Sequence, residues 1–236
     1  MRNLCLPLFC LFLFFSANAQ KQVLIFHETQ GYRHSSIENG IQAIQRLGNE
    51  MDFKTIVSND SRFFLENDLE QIDLVIFLST TGDIFDKEEE LAFENYIEKG
   101  GNFFGIHAAA DTEYDWPFYG RLVGAYFESH PEIQPAEIEV VMPEHMTVEH
   151  LPETWTRTDE WYNYKNIRPD LHVLLKLNED SYKGGTNGED HPIGWYQDLT
   201  GGGKAIYTGG GHTAESYSEP NFMKHVKASI AFALFH

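Results

Sequence analysis

The residues best equipped for chemistry in this sequence are histidines, and the most sharply placed is His107. It stands in Gly105-Ile106-His107-Ala108-Ala109-Ala110, where a short apolar run meets small residues on both sides. That spacing suits a sharp strand-to-helix turn that holds one side chain out of the backbone path, as at a nucleophile elbow. Here the elbow residue is an imidazole, fit to act as a general base or a metal ligand. The alternative is a histidine hydrogen-bonded within a packed turn. Asp111 follows closely enough to orient or charge-stabilise the ring; its alternative is a helix cap. Gly209-Gly210-Gly211-His212 sends a second imidazole from another apolar run, with glycines that let backbone approach a ligand. The alternative there is a flexible turn.

Other polar groups follow the same logic. Asp159-Glu160-Trp161-Tyr162-Asn163 joins carboxylates to aromatics, a pairing suited to sugar hydroxyls and apolar sugar faces. A core role for Trp161 is the competing reading. Arg33-His34 precedes a predicted helix start, where free N–H groups favour anions or sugar oxygens. His191 lies before a strand, in His191-Pro192-Ile193-Gly194-Trp195, a position that weakens its claim to the rim. His145, His150, His172, His225 and His236 carry no usable placement. Neither H-x-x-x-H nor H-E-x-x-H spacing occurs. A divalent metal held by His107 and His212 stays open as a cofactor.

Strands and helices must carry these groups to one place. Val23 to Phe26, Phe53 to Val57, Asp73 to Leu78 and Asn102 to Ile106 read as strands, the third buried on both faces. Helices are expected between them: one from Ser35 and Glu38 in capping-box spacing, with Ile37, Ile41 and Ile44 on one face, and one opened by Asp86-Lys87-Glu88-Glu89. The second carries Leu91, Tyr96 and Ile97 and stops at Gly100-Gly101. Ala136 to Val141, Leu171 to Leu177, Ile193 to Tyr196 and Ala205 to Thr208 read as later strands. The segment rich in Glu, Pro and Trp between the first two of these reads as loops. Pro220 starts a last helix. This alternation predicts an α/β fold with a mostly parallel central sheet and helices on both faces. In such sheets ligands bind beyond the carboxyl ends of the strands. His27, the segment to His34, Ser79-Thr80-Thr81-Gly82-Asp83, His107 and His212 all follow strands at that rim.

The composition narrows the chemistry. The chain has 236 residues, formal net charge −19 and two cysteines. Both cysteines, Cys5 and Cys10, lie in MRNLCLPLFCLFLFFSANA, which reads as a signal peptide over residues 1–19. Its apolar stretch is too short to span a bilayer, and Ala17-Asn18-Ala19 is a cleavage site. Cleavage leaves a single domain over residues 20–236, one charge more negative, with no cysteine and no membrane anchor. Disulfides, a thiolate nucleophile and cysteine-ligated zinc are therefore excluded. Nucleic acid is excluded as a partner by the acidic balance. Export to the periplasm or the medium is expected. The sequence sets no oligomeric state.

The motifs together resemble a known family. Thr29-x-Gly31-Tyr32-Arg33-His34-Ser35, Gly105-Ile106-His107-Ala108, Asp159-Glu160-x-Tyr162, His191-Pro192-x-x-Trp195 and Gly211-His212 are similar to the ThuA-like (trehalose utilisation) family through nearly the whole mature chain. The resemblance implies a flavodoxin-like, class I glutamine amidotransferase-like three-layer sandwich. It also implies a place in disaccharide or 3-keto-sugar catabolism, with a functional link to sugar oxidoreductases. Amidotransferases of this fold carry a cysteine at the elbow; His107 stands there instead, so glutamine hydrolysis through a thioester is excluded. The expected catalytic set is His107, His212, Asp111 and Glu160. Substrate contacts are expected from His27, Gly31, Tyr32, Arg33, His34, Thr81, Trp161, Tyr162, His191 and Gly211. The substrate would be a small sugar or keto-sugar. The competing functions are a non-catalytic sugar-binding module and a glycoside hydrolase using paired carboxylates such as Asp111 and Glu160.

Overall fold

A computed structural model describes residues 20–236; the leader expected over residues 1–19, with both cysteines, lies outside the described residues. The apolar runs become β1 (Gln22–Phe26), β2 (Lys54–Ser58), β3 (Leu74–Leu78) and β4 (Asn102–Ile106). All five residues of β3 are buried, as expected of a central strand covered on both faces. These strands and β11 (Lys204–Thr208) form a parallel block in the order β2-β1-β3-β4-β11.

Alternate residues of β3 show the two coverings. Phe77 packs on Phe93 of α3 (Lys87–Glu98) and Tyr119 of α4 (Pro117–Val123), with ring centroids 5.2 and 5.7 Å away. Leu78 faces the other way. A Cβ on Gly40 of α1 (Ile37–Met51) would lie 2.9 Å from its Cδ1, so glycine lets helix and sheet approach closely. On that face lies also α5 (Pro220–Phe235), which contacts β3, β4 and β11. Each large buried ring contributes roughly 1.5–3 kcal/mol by leaving water. No helix among the described residues is long and apolar enough to cross a membrane.

The sheet does not stop at β11. An antiparallel wing of β10 (Pro192–Asp198), β9 (His172–Asn178), β6 (Gln134–Val140) and β7 (Thr154–Asp159) extends it to nine strands. β7 falls in the stretch expected to be loops. It buries Trp155, Arg157 and Asp159 and exposes the threonines between them. The period of two is intact, but two of its three inward residues are charged, which hides the strand from a reading based on apolar alternation. β5 (Tyr126–Ser129) and β8 (Asn163–Lys165) pair separately as a short two-stranded sheet.

Two helix details differ from expectation. The Ser35–Glu38 capping box does not form. Ser36 occupies the N-cap of α1, and its hydroxyl donates to the Gly211 carbonyl oxygen at 3.0 Å. Glu38 instead pairs with Arg33 at 2.7 Å. The capping box that does form is Asp86 with Glu89 at the start of α3. Leu91, expected on the buried stripe of that helix, is exposed, while Tyr96 and Ile97 are buried.

Candidate functional site

The carboxyl ends of β1, β3, β4 and β11 share one edge because these strands run parallel. The wing adds β7 to that edge. Successive antiparallel pairings from β11 through β10, β9 and β6 leave β7 running in the direction of β11. Glu160, the residue after β7, and His107, the residue after β4, can therefore meet.

His107 adopts φ +51° and is fully buried. The left-handed conformation matches a sharp turn; the side chain, however, points into the protein rather than into solvent. Its Nδ1 lies 3.0 Å from the Gly209 carbonyl oxygen. A carbonyl only accepts, so Nδ1 carries the proton and Nε2 presents its lone pair. That Nε2 lies 3.1 Å from His212 Nδ1 and 3.5 Å from Glu160 Oε2. His212 Nδ1 lies 3.1 Å from the same oxygen. The His34 ring stands edge-on to both other imidazoles, with centroids 4.9 Å from His107 and 5.0 Å from His212. One donor atom from each of His34, His107, Glu160 and His212 falls within 4.8 Å of the others. These four could hold a metal ion, two of them beyond the pair expected from sequence.

Electrostatics at the cluster are strong. Burial opposes charge on Glu160, yet the two neighbouring imidazoles, His107 and His212, outweigh it and hold its carboxyl well below the usual carboxylate range. Burial, reinforced by the neighbouring His107 and His212, pushes His34 down to about 2, so its ring is neutral. His34 Nδ1 is buried without a hydrogen-bond partner. The other Glu160 oxygen, Oε1, lies 3.1 Å from Nδ1 of the half-exposed His130. No local sequence signal singles out His130. It follows β5, a strand with no clear apolar pattern, and only the fold brings it to Glu160.

Asp159 fixes two of the four. Its Oδ1 accepts from Glu160 N at 3.0 Å, and its Oδ2 accepts from Gly211 N at 2.8 Å. Oδ2 also takes the Arg157 guanidinium at 2.7 Å and the Ser216 hydroxyl at 3.1 Å. A buried ion pair this well satisfied fixes geometry more than it adds stability. The glycine run serves the same interior. A Cβ on Gly210 would lie 2.5 Å from Arg157 Nη1, and one on Gly209 would lie 2.4 Å from Ile193 Cδ1 and from the Tyr164 hydroxyl. Gly211 has φ +112°. These glycines make room for packed side chains, whereas the sequence suggests approach to a ligand.

The remaining expected residues divide. Tyr162 packs on the His107 ring at 4.3 Å and borders the cluster. Tyr32 is exposed, and its ring meets His34 at 4.9 Å. Arg33 Nη1 lies 3.4 Å from Nδ1 of the buried His27. Thr81 is buried and acts on the loop itself: its hydroxyl donates to the Tyr32 carbonyl at 3.0 Å, and a Cβ on Gly31 would lie 3.2 Å from that hydroxyl. Asp111 does not bond His107; its Oδ1 accepts from the Tyr114 hydroxyl at 2.6 Å. Trp161 is fully buried and donates to the Gln134 carbonyl at 2.8 Å, a core anchor. His191 is buried behind the site, bridging Glu179 and the Tyr162 carbonyl at 2.7 and 2.8 Å. A surface cleft of roughly 700 Å³ lined by Lys21, Asp73, Lys99 and Asn102 lies at the opposite, amino-terminal edge of the sheet, and none of the cluster borders it.

Comparison with known proteins agrees with this architecture. No match was found among curated proteins. Among solved structures, a ThuA-like protein from Bacteroides uniformis is similar at 26% identity and a TM-score of 0.76, over 90% of this chain and 91% of that one. A ThuA-like protein from Parabacteroides merdae is 17% identical with a TM-score of 0.74, over 92% and 90%. A GMP synthase component from Thermoplasma acidophilum, 14% identical with a TM-score of 0.52 over 91% and 98%, has the glutamine amidotransferase-like fold in common. The latter two likenesses concern the fold alone. Residues 22–233 match the model of the ThuA family, described as trehalose utilisation. With nearly all of its described length matched, this chain belongs to the ThuA family.

Proposed function

We propose that this protein processes an oxidised disaccharide or related sugar derivative at the Glu160 cluster, by removing the proton beside a keto group. The family's description supports a sugar substrate. One observation carries the chemistry: a buried carboxylate, Glu160, is met by His107 and His212 on one oxygen and by His130 on the other. Such a cluster can hold a proton, pass it on, and stabilise developing negative charge.

The step balances without water. A keto group at C3 acidifies the proton on C2. An imidazole takes that proton, and the electron pair forms the C1–C2 double bond. The C1–O bond breaks, and its pair leaves with the second sugar's oxygen, which is protonated to a free hydroxyl. The products are the released sugar and an enone. A sugar oxidoreductase would supply the keto substrate. Export by the expected leader would place this step in the periplasm or outside the cell.

Paired-carboxylate hydrolysis has less support. Asp111 Oδ1 is taken by Tyr114, and both Glu160 oxygens face histidines. The test is to incubate the protein with a 3-keto disaccharide and with its unoxidised parent, and to identify products by mass. Release from the keto form alone is expected, and folded His107→Ala and His212→Ala variants should be slower by roughly 10²-fold or more. Wild-type rates in both variants would overturn the proposal. So would cleavage of the unoxidised sugar, which favours a hydrolase, or binding without turnover, which favours a sugar-binding module.

A further inference from the structure

We infer that His34, His107, Glu160 and His212 bind one divalent first-row transition-metal ion. The inference rests on the site proposed above for its location, but not on the identity of the substrate.

Mutual spacing is the first argument. The contacts among His107 Nε2, His212 Nδ1 and Glu160 Oε2 are 3.1, 3.5 and 3.1 Å. Donors about 2.1 Å from a common ion stand roughly 3.0 Å apart in octahedral and about 3.4 Å apart in tetrahedral geometry. The three atoms therefore already frame a coordination sphere. His34 adds a fourth donor within 4.8 Å of the rest.

Orientation is the second argument. The Gly209 carbonyl takes the Nδ1 proton of His107 at 3.0 Å and so turns the Nε2 lone pair toward the other donors. Metal-ligating histidines characteristically have their second nitrogen fixed in this way. Glu160 and the His212 turn are each held through Asp159, by the Glu160 and Gly211 amides. The ligands are thus positioned before any ion arrives.

The third argument is an orphan. His34 is almost fully buried, and its Nδ1 has no hydrogen-bond partner. A buried nitrogen without a partner carries a desolvation cost of about 1–3 kcal/mol. An ion among the four donors would give one nitrogen of this otherwise packed imidazole a partner in the same cluster.

Three imidazole nitrogens and one carboxylate oxygen suit zinc, cobalt, iron or manganese, not magnesium or calcium, which favour all-oxygen shells. Four protein ligands leave a six-coordinate ion two open positions. The keto oxygen and a neighbouring hydroxyl of an oxidised sugar form a chelating pair that fits them. The ion would then stabilise the enolate as a Lewis acid. His130 is outside the four donors and remains available to move a proton.

Calorimetric titration of the chelator-treated protein with Zn²⁺, Co²⁺ and Mn²⁺ separately tests the inference. One ion per chain is expected for at least one metal, with a Co²⁺ visible spectrum of nitrogen–oxygen coordination. Glu160→Gln and His212→Gln variants, shown folded by circular dichroism, should bind at least 10-fold more weakly, whereas the His172→Ala control should bind normally. No saturable binding of any of the three ions, or unchanged binding in both site variants, would overturn it. Because no sugar is present, the two proposals fail separately. An ion bound without keto-sugar turnover defeats the function and leaves the site; absent binding with turnover intact defeats the site and leaves the function.

Discussion

His107 Nδ1 donates to the Gly209 carbonyl oxygen at 3.0 Å, and this bond aims the opposite nitrogen at Glu160 Oε2, 3.5 Å away. β4 and β11 are neighbours in the sheet, so the turn after one sets the tautomer of the histidine after the other. Glu160 is the carboxylate on which the arrangement converges. Glu160→Gln keeps the size of the side chain and removes its charge. The account predicts a fall in kcat/KM on the keto substrate of roughly 10²–10⁴-fold, with the circular dichroism spectrum retained. Steady-state kinetics on the purified variant check this.

His130 has a role separable from that of the buried histidines. Its Nδ1 faces two acceptors, the Pro131 carbonyl at 3.0 Å and Glu160 Oε1 at 3.1 Å. A proton therefore sits on Nδ1, and Nε2, on a half-exposed ring, is the nitrogen left to exchange one. His130→Ala should lower kcat by about 10²-fold while leaving metal stoichiometry at the wild-type value. Loss of the metal together with activity would make His130 a ligand instead of a proton carrier.

The glycine run is predicted to be intolerant for packing reasons. A Cβ on Gly210 would press on Arg157 Nη1, an atom already fixed by Asp159. Overpacking of this kind costs about 1–3 kcal/mol. Gly210→Ala should lower Tm by several degrees in thermal unfolding. An unchanged Tm would mean that the turn is open, as the sequence alone suggests.

Glu113 gives a pH signature away from the cluster. Burial pushes its carboxyl up from 4.5 to about 7, although Ile84 N and Phe85 N both donate to Oε1. The folded state therefore keeps its proton where the unfolded chain has lost it. The contribution is fully present below pH 4.5 and is lost as pH rises through about 7. Its size is of the order of 3 kcal/mol. Glu113→Gln should remove this loss, so its stability relative to wild type should rise from pH 5 to pH 8 in urea unfolding. A constant difference would contradict the account.

What can be read in the sequence follows from which physical signals are local. Buried strands such as β3 are continuous apolar runs, and the parallel block is legible for that reason. His107 and His212 are legible as candidates because each closely follows an apolar strand, and Glu160 because it stands in a run that joins carboxylates to aromatics. β7 is not, because its buried face carries Arg157 and Asp159, and their partners, Ser216 and Gly211, are remote in sequence. Nearness in the chain favours Asp111 as the partner of His107, yet the sheet brings the distant Glu160 closer. His34 reads in sequence as part of a helix start that meets substrate. Its edge-on contact with two other imidazoles is visible only in three dimensions.

The central claim is proton removal beside a keto group, and one measurement addresses it directly. A 3-keto disaccharide deuterated at C2 is incubated with the protein in ordinary water, and substrate and products are weighed by mass spectrometry. The account predicts that every released sugar is matched by an enone that has lost its deuterium. Release of sugar with the C2 deuterium fully retained in the keto product would contradict it.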